Sequence, residues 1–169
     1  VFSGDLGQPG QRIVKDPDLV READYDVVES TYGNRNHKSK DETVLELLST
    51  IKNARELQGN VLIPSFAVER AQELLYELNL FVENNLIEGG LEVYFDSPLA
   101  QKATRIFEMH TELYDEDGRR LIESGDDVFN FQGLHYVKKF SESRRLAAKR
   151  GIVLLAGSGM CNGGRIIEH

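Results

Sequence analysis

Residues 26 to 35, Asp-Val-Val-Glu-Ser-Thr-Tyr-Gly-Asn-Arg, run from a short apolar stretch into a polar turn broken by Gly33, with the acid Glu29 at the junction. In α/β proteins, ligand chemistry concentrates at such strand ends. Three later stretches repeat the order of apolar strand, small polar turn and helix: Val61 to Arg70, Val93 to Gln101 and Ile152 to Arg165. The repetition predicts four turns lying side by side. The richest is Gly157-Ser158-Gly159-Met160-Cys161-Asn162-Gly163-Gly164-Arg165. Its glycines let the backbone curl around an anion, Ser158 offers a hydroxyl and Arg165 a bidentate fork for phosphate. It has no Walker lysine, and Asn162 breaks the Gly-x-Gly-x-x-Gly pattern. A phosphate site is preferred here to a merely tight turn.

Arg35, Arg70, Ser65 and Ser97 fall on the same expected edge and surround a groove with positive charge and hydroxyls. Simpler readings stand beside this one. The two serines read first as helix caps, and Arg70 pairs with Glu69 or Glu73 on a solvated helix face. Lys138, Lys139, Arg144, Arg145, Lys149 and Arg150 form a basic run, read first as a solvated face and second as a nucleic-acid contact. Asp5, between Gly4 and Gly7, reads from spacing alone as a turn cap. His37, His110, His135 and His169 stand apart without metal-ligand spacing, and Cys161 reads as a free surface thiol.

The chain of 169 residues, 40% hydrophobic, can bury one full core. Twenty Lys and Arg against 28 Asp and Glu leave a net charge of -8, which argues against coating nucleic acid over the whole surface. A local basic groove stays open. A single cysteine excludes an internal disulfide and points to a reducing, cytoplasmic setting, and no apolar run has membrane length. The start without Met and the stop at His169, just past Gly163-Gly164, read as a piece of a longer protein.

Val1 to Gly4 predicts a buried strand tip, and Tyr25 to Glu29 a second strand. Apolar spacing predicts helices over 41–58 and 67–86, and a strand over 60–64 covered on both faces. A strand over 91–95 leads to Ser97 as N-cap and Pro98 at the first helical position, with helix to about 113. Residues 114–133 read as mobile surface with a short helix near 119–123. A strand over 134–137, a helix over 141–149 capped by Ser141 and an apolar strand over 151–156 complete the order. Such alternation predicts an α/β fold with a Rossmann-like, mostly parallel sheet flanked by helices.

Taken together, Phe2-Ser3-Gly4-Asp5-Leu6-Gly7, Glu29-Ser30-Thr31-Tyr32-Gly33-Asn34-Arg35, Ile63 to Glu73, Asp96-Ser97-Pro98-Leu99-Ala100 and Ala156 to Arg165 closely resemble the β-CASP ribonucleases of the metallo-β-lactamase superfamily. That family includes the cleavage-and-polyadenylation endonuclease and its bacterial and archaeal relatives. The resemblance implies a two-domain, two-zinc RNA hydrolase with the β-CASP domain inserted as a lid. Residues 1–30 would close the first metallo-β-lactamase segment, and 31–169 would form the lid, truncated at its C-terminal end. Asp5 matches the aspartate bridging both zinc ions, against the turn-capping reading. Glu29 matches the acid that orients a metal-bound histidine and serves as the catalytic site residue of this chain.

In such an enzyme a zinc-bound hydroxide attacks RNA phosphorus in line, while the lid holds the single-stranded backbone without reading bases. Ser158, Gly159 and Arg165, with Arg35 and Arg70, are the implied phosphate contacts. The family's histidine-rich metal motif and its later histidines are missing, so this chain is expected to be inert alone and to bind no zinc. Its expected partners are RNA and the rest of its own catalytic domain, with homodimerisation open and membranes excluded. The resemblance leaves internal and terminal cleavage, and RNA and DNA, undivided. The alternatives are a noncatalytic RNA-binding or dimerising module and a nucleotide-binding α/β enzyme.

Overall fold

The computed structural model describes residues 1–169. Four short strands, β1 (Val61–Pro64), β2 (Val93–Asp96), β3 (Leu134–Tyr136) and β4 (Val153–Ala156), form one all-parallel sheet in the order β1-β4-β2-β3. Five helices accompany them: α1 (Lys40–Glu56), α2 (Arg70–Glu83), α3 (Pro98–Met109), α4 (Glu116–Glu123) and α5 (Phe140–Arg145). The α/β reading of the sequence holds. Every strand runs the same way, so all four deliver their carboxyl ends to one edge.

Side chains alternate across a strand, and the central pair β4 and β2 therefore feeds two cores. Val153, Leu155, Val93 and Phe95 join the larger core with Ala71, Leu75, Leu78 and Phe81 of α2. Leu154 and Tyr94 turn the other way, onto Val137, Leu146 and Ile152. Both central strands are buried along their whole length. This is why they read as unbroken apolar runs. β1 is different: it lies at the sheet edge, and Leu62 is exposed where burial on both faces was expected.

The helix starts follow local chemistry. Ser39 and Glu42 of α1 form a reciprocal capping box, and the Ser97 hydroxyl accepts the Ala100 N–H at 3.3 Å ahead of Pro98. α2 begins at Arg70, later than its apolar spacing suggests, because Glu69 adopts φ 68° and ends the preceding turn. α5 begins at Phe140 and Ser141 does not cap it. Glu142 takes that part, accepting the N–H groups of Lys138 and Lys139 at 3.3 and 3.2 Å.

Two expectations are corrected. Residues 114–133 are not mere surface, since Tyr114, Val128, Phe129 and Phe131 are buried in the main core. Their spacing is irregular, so no period betrays them. The Val1 to Gly4 and Tyr25 to Glu29 segments do meet, with Phe2 bridged in parallel to Val27, but Phe2 is 84% exposed and Val27 and Val28 are exposed with it.

A strap joins that piece to the sheet domain. Ile13 is 2% exposed and holds φ 73°, an unusual angle for a β-branched residue. It is fixed by burial and by the Asp115 N–H, which donates to its carbonyl at 2.7 Å. Beside it, Arg12 Nε lies 2.9 Å from Glu77 Oε1 on α2.

Candidate functional site

The carboxyl edge of the sheet gathers the turns as expected. A Cβ on Gly157, after β4, would stand 3.4 Å from Ser97 Oγ, after β2, and 3.8 Å from the carbonyl of Ser65, after β1. A Cβ on Gly159 would meet the Phe66 ring at 2.9 Å. Three turns thus touch. The Glu29 turn joins from the side: Asp5, Glu29, Tyr32 and His37 line a cavity of about 750 Å³ with Phe66, Glu69, Arg70 and Glu73.

Within that cavity Glu29 is held in place. Its carboxylate accepts the Thr31 N–H at 2.9 Å and the Leu6 N–H at 3.4 Å, while its own N–H donates to Ser3 Oγ at 3.0 Å. The Thr31 N–H, then the Thr31 side chain and the Leu6 N–H, draw its pKa below the ordinary carboxyl value. Glu29 is therefore an anion at neutral pH, tied to the Asp5 turn through Leu6. Asp5 is exposed on the wall of the same cavity.

Most of the sequence-predicted phosphate groups are already engaged. Arg165 Nη1 lies 2.6 Å from Asp96 Oδ1 and 3.2 Å from the Lys139 carbonyl, and Nη2 donates to the Lys138 carbonyl at 3.1 Å. The Ser158 hydroxyl donates within its own turn, to Asn162 Oδ1 at 3.1 Å and the Gly163 carbonyl at 3.2 Å. Arg70 pairs with Glu73 at 2.8 Å, as the plainer reading had it. Arg35 sits over the Tyr32 ring, 5.5 Å from its centroid, on the exposed turn after Glu29.

What the turn does leave open is backbone. The N–H groups of Gly159 and Met160 donate to no acceptor in the protein, whereas Ser158, Cys161 and Ile166 donate inside the turn. Ser65 is buried and its hydroxyl has no partner, so it is not the cap its type suggested. Unpaired N–H donors on a turn that touches the one after β1 suit an anion.

Sequence reasoning missed Asp96. Its fully buried carboxylate accepts from Arg165 on Oδ1, and on Oδ2 it meets Ser143 Oγ at 2.5 Å and His169 Nε2 at 3.0 Å. His169, which stands alone in sequence, is thus tied to the end of β2. The available signal was an acid closing an otherwise apolar strand, Val93-Tyr94-Phe95-Asp96.

No group of three or more His, Cys, Asp or Glu is placed to hold a metal ion. No helix is long and apolar enough to cross a membrane.

Fold and edge together define an α/β domain whose turns converge at the carboxyl ends of parallel strands. The chain belongs to the β-CASP family: the Beta-Casp domain model matches residues 71–169. Ribonuclease TTHA0252 of Thermus thermophilus is 38% identical over 170 residues, covering all of this chain and 39% of that protein. Endoribonuclease YSH1 of Kluyveromyces lactis is 27% identical over 97% of this chain and 22% of its own length. The transcription termination factor FttA of Methanosarcina mazei is 31% identical over the whole chain and 27% of its own length. The chain therefore spans well under half of these relatives.

Proposed function

We propose that this chain is the β-CASP part of a metal-dependent RNA-processing hydrolase, with residues 31–169 as the lid and 1–30 as the edge of the catalytic half. The observation that carries the proposal is the cavity in which Asp5 and Glu29 face the turn after β1. Relatives named as ribonuclease and endoribonuclease support RNA as the substrate.

The chain's residues suit a contribution to a metal centre without completing one. Asp5 offers a carboxylate, a hard donor suited to a divalent cation, on the cavity wall. Glu29, anionic and held by two N–H groups, is suited to accept an N–H from a histidine supplied elsewhere. Two zinc ions, when bound, would supply charge stabilisation at the phosphodiester. The remaining work falls to protein groups. The unpaired N–H groups of Gly159 and Met160 would hold a backbone phosphate, with Arg35 and Arg70 near the entrance. Arg165 would act through Asp96 by fixing the turn, and Ser158 would brace it from within.

Zinc content and RNA cleavage, measured side by side for this chain and for a longer form bearing the histidines of the family pattern, test the proposal. Zinc and cleavage in the longer form alone support it. Absence of both there would favour the noncatalytic RNA-binding or dimerising module, a reading to which the exposed apolar side chains of Phe2, Tyr25, Val27 and Val28 also lend themselves.

A further inference from the structure

We propose that the ring of Phe66 is a stacking platform for one base of single-stranded RNA, an inference that rests on reading this edge as an RNA site. Phe81, Phe95, Phe129 and Phe131 are buried, whereas Phe66, two residues past the end of β1, is 59% exposed, as is Phe140 on α5 to a similar degree, though Phe140 lies against Arg165 outside the cavity of Asp5 and Glu29. Its neighbour Ser65 is buried. The chain thus turns an aromatic ring outward at the point where the turns converge.

The ring is exposed but not loose. Its Cδ2 and Cε2 lie so near Gly159 that a Cβ there would approach both at 2.9 Å, and Cγ at 3.2 Å. The absent side chain at Gly159 lets the backbone of that turn seat against the ring. A surface held in this way loses little freedom when a second flat group lands on it.

Its surroundings fit a nucleotide better than a protein side chain. Phe66 lines the cavity that holds Asp5 and Glu29, among mostly polar and charged neighbours. The Gly159 N–H, unpaired within the protein, belongs to the residue against which the ring packs. A base on the ring would bring its own phosphate towards that donor. Stacking on an aromatic ring is tolerant of base identity, as suits an enzyme that holds a strand through its backbone.

The test uses the full-length protein carrying this chain and non-cleavable 2′-O-methyl oligonucleotides in which an abasic unit is moved through the sequence. With the unaltered protein, one position should be sensitive, the abasic unit there weakening binding about tenfold. Phe66→Leu should weaken the intact oligonucleotide by about the same factor, leave the abasic one unchanged, and so abolish the dip. Phe66→Trp should keep it, with thermal unfolding confirming that both variants are folded. Equal weakening of intact and abasic oligonucleotides by Phe66→Leu would make the ring a support for the turn and overturn the platform. RNA binding with no sensitive position in the unaltered protein would overturn it too, leaving the RNA site standing. No RNA binding by the unaltered protein would remove the RNA reading itself.

Discussion

Asp96 and Arg165, 69 residues apart in the chain, meet at 2.6 Å beyond the end of β2, where the carboxylate is wholly buried and also takes His169 and Ser143. One acid therefore ties the glycine turn, α5 and the last residue to the centre of the sheet. Removing it would strand a mostly buried guanidinium without its counter-charge. Asp96→Ala should cost about 3–5 kcal/mol in a urea titration, and Asp96→Asn less, since the amide oxygen can still accept one donor. A loss below about 1 kcal/mol for Asp96→Ala would show that the ion pair does not hold the turn.

The two neighbouring glycines of the turn should respond differently to a methyl group. Gly164 has φ 75°, and a Cβ there would run into the carbonyl of Gly157, whereas Gly163 has open space around it and no such angle. Gly164→Ala should destabilise the chain by about 1–3 kcal/mol or more, and Gly163→Ala by well under that. Differential scanning calorimetry of the pair checks this, and equal losses would contradict the geometry of the turn.

These relationships mark where sequence reading succeeds and where it stops. Runs such as Val93 to Phe95 and Val153 to Ala156 announce buried parallel strands, and Ser97-Pro98 announces a helix start, because each signal is local. The partnership of Asp96 with Arg165 is set by topology, which no spacing reveals. The same holds for Ile13, in a short apolar pair with Val14 within a polar passage, which becomes core because Asp115 and Glu77 lie where the strap lands. Tyr114, Phe129 and Phe131 escaped for the opposite reason: each is large enough to fill the core from a loop, without a repeating pattern.

Glu73 gives a pH signature. Burial raises its pKa above the ordinary 4.5, with Glu69 and Glu77 adding to the rise and Arg70 and Lys40 opposing it. The folded state then holds this proton more tightly than the unfolded chain does. Its contribution to stability is fully present below about 4.5 and is lost as pH rises through the raised folded value. Glu73→Gln should remove this decline, flattening the wild-type fall in urea stability on the acid side of neutrality. An unchanged slope in the variant would assign the effect elsewhere.

Under the proposed function, a longer form carrying this chain should separate the two acids and the arginine into different defects. Asp5→Ala and Glu29→Gln should lower RNA hydrolysis by at least about 10- to 100-fold while leaving RNA affinity near its original value. Arg165→Ala should do the reverse, weakening affinity because the turn loses its tether to Asp96. Single-turnover cleavage and equilibrium binding on the same oligonucleotide distinguish the two, and uniform loss of affinity in all three variants would undo the division of roles.

The strand order carries a consequence for how the domain is made. β4 sits between β1 and β2, although it is the last of the four in the chain. Val61 must find Val153 across most of the sequence before β1 gains a neighbour, so closure of the sheet waits on a long-range search. During synthesis, everything from β1 to β3 emerges before the strand that unites it. The glycine turn follows β4 immediately, so the gathered turns and the completed sheet arise in one late step. A nascent chain short of Ala156 would have its helices and hydrophobic strands but neither a complete sheet nor its gathered turns, and would be at its most vulnerable to aggregation in that interval.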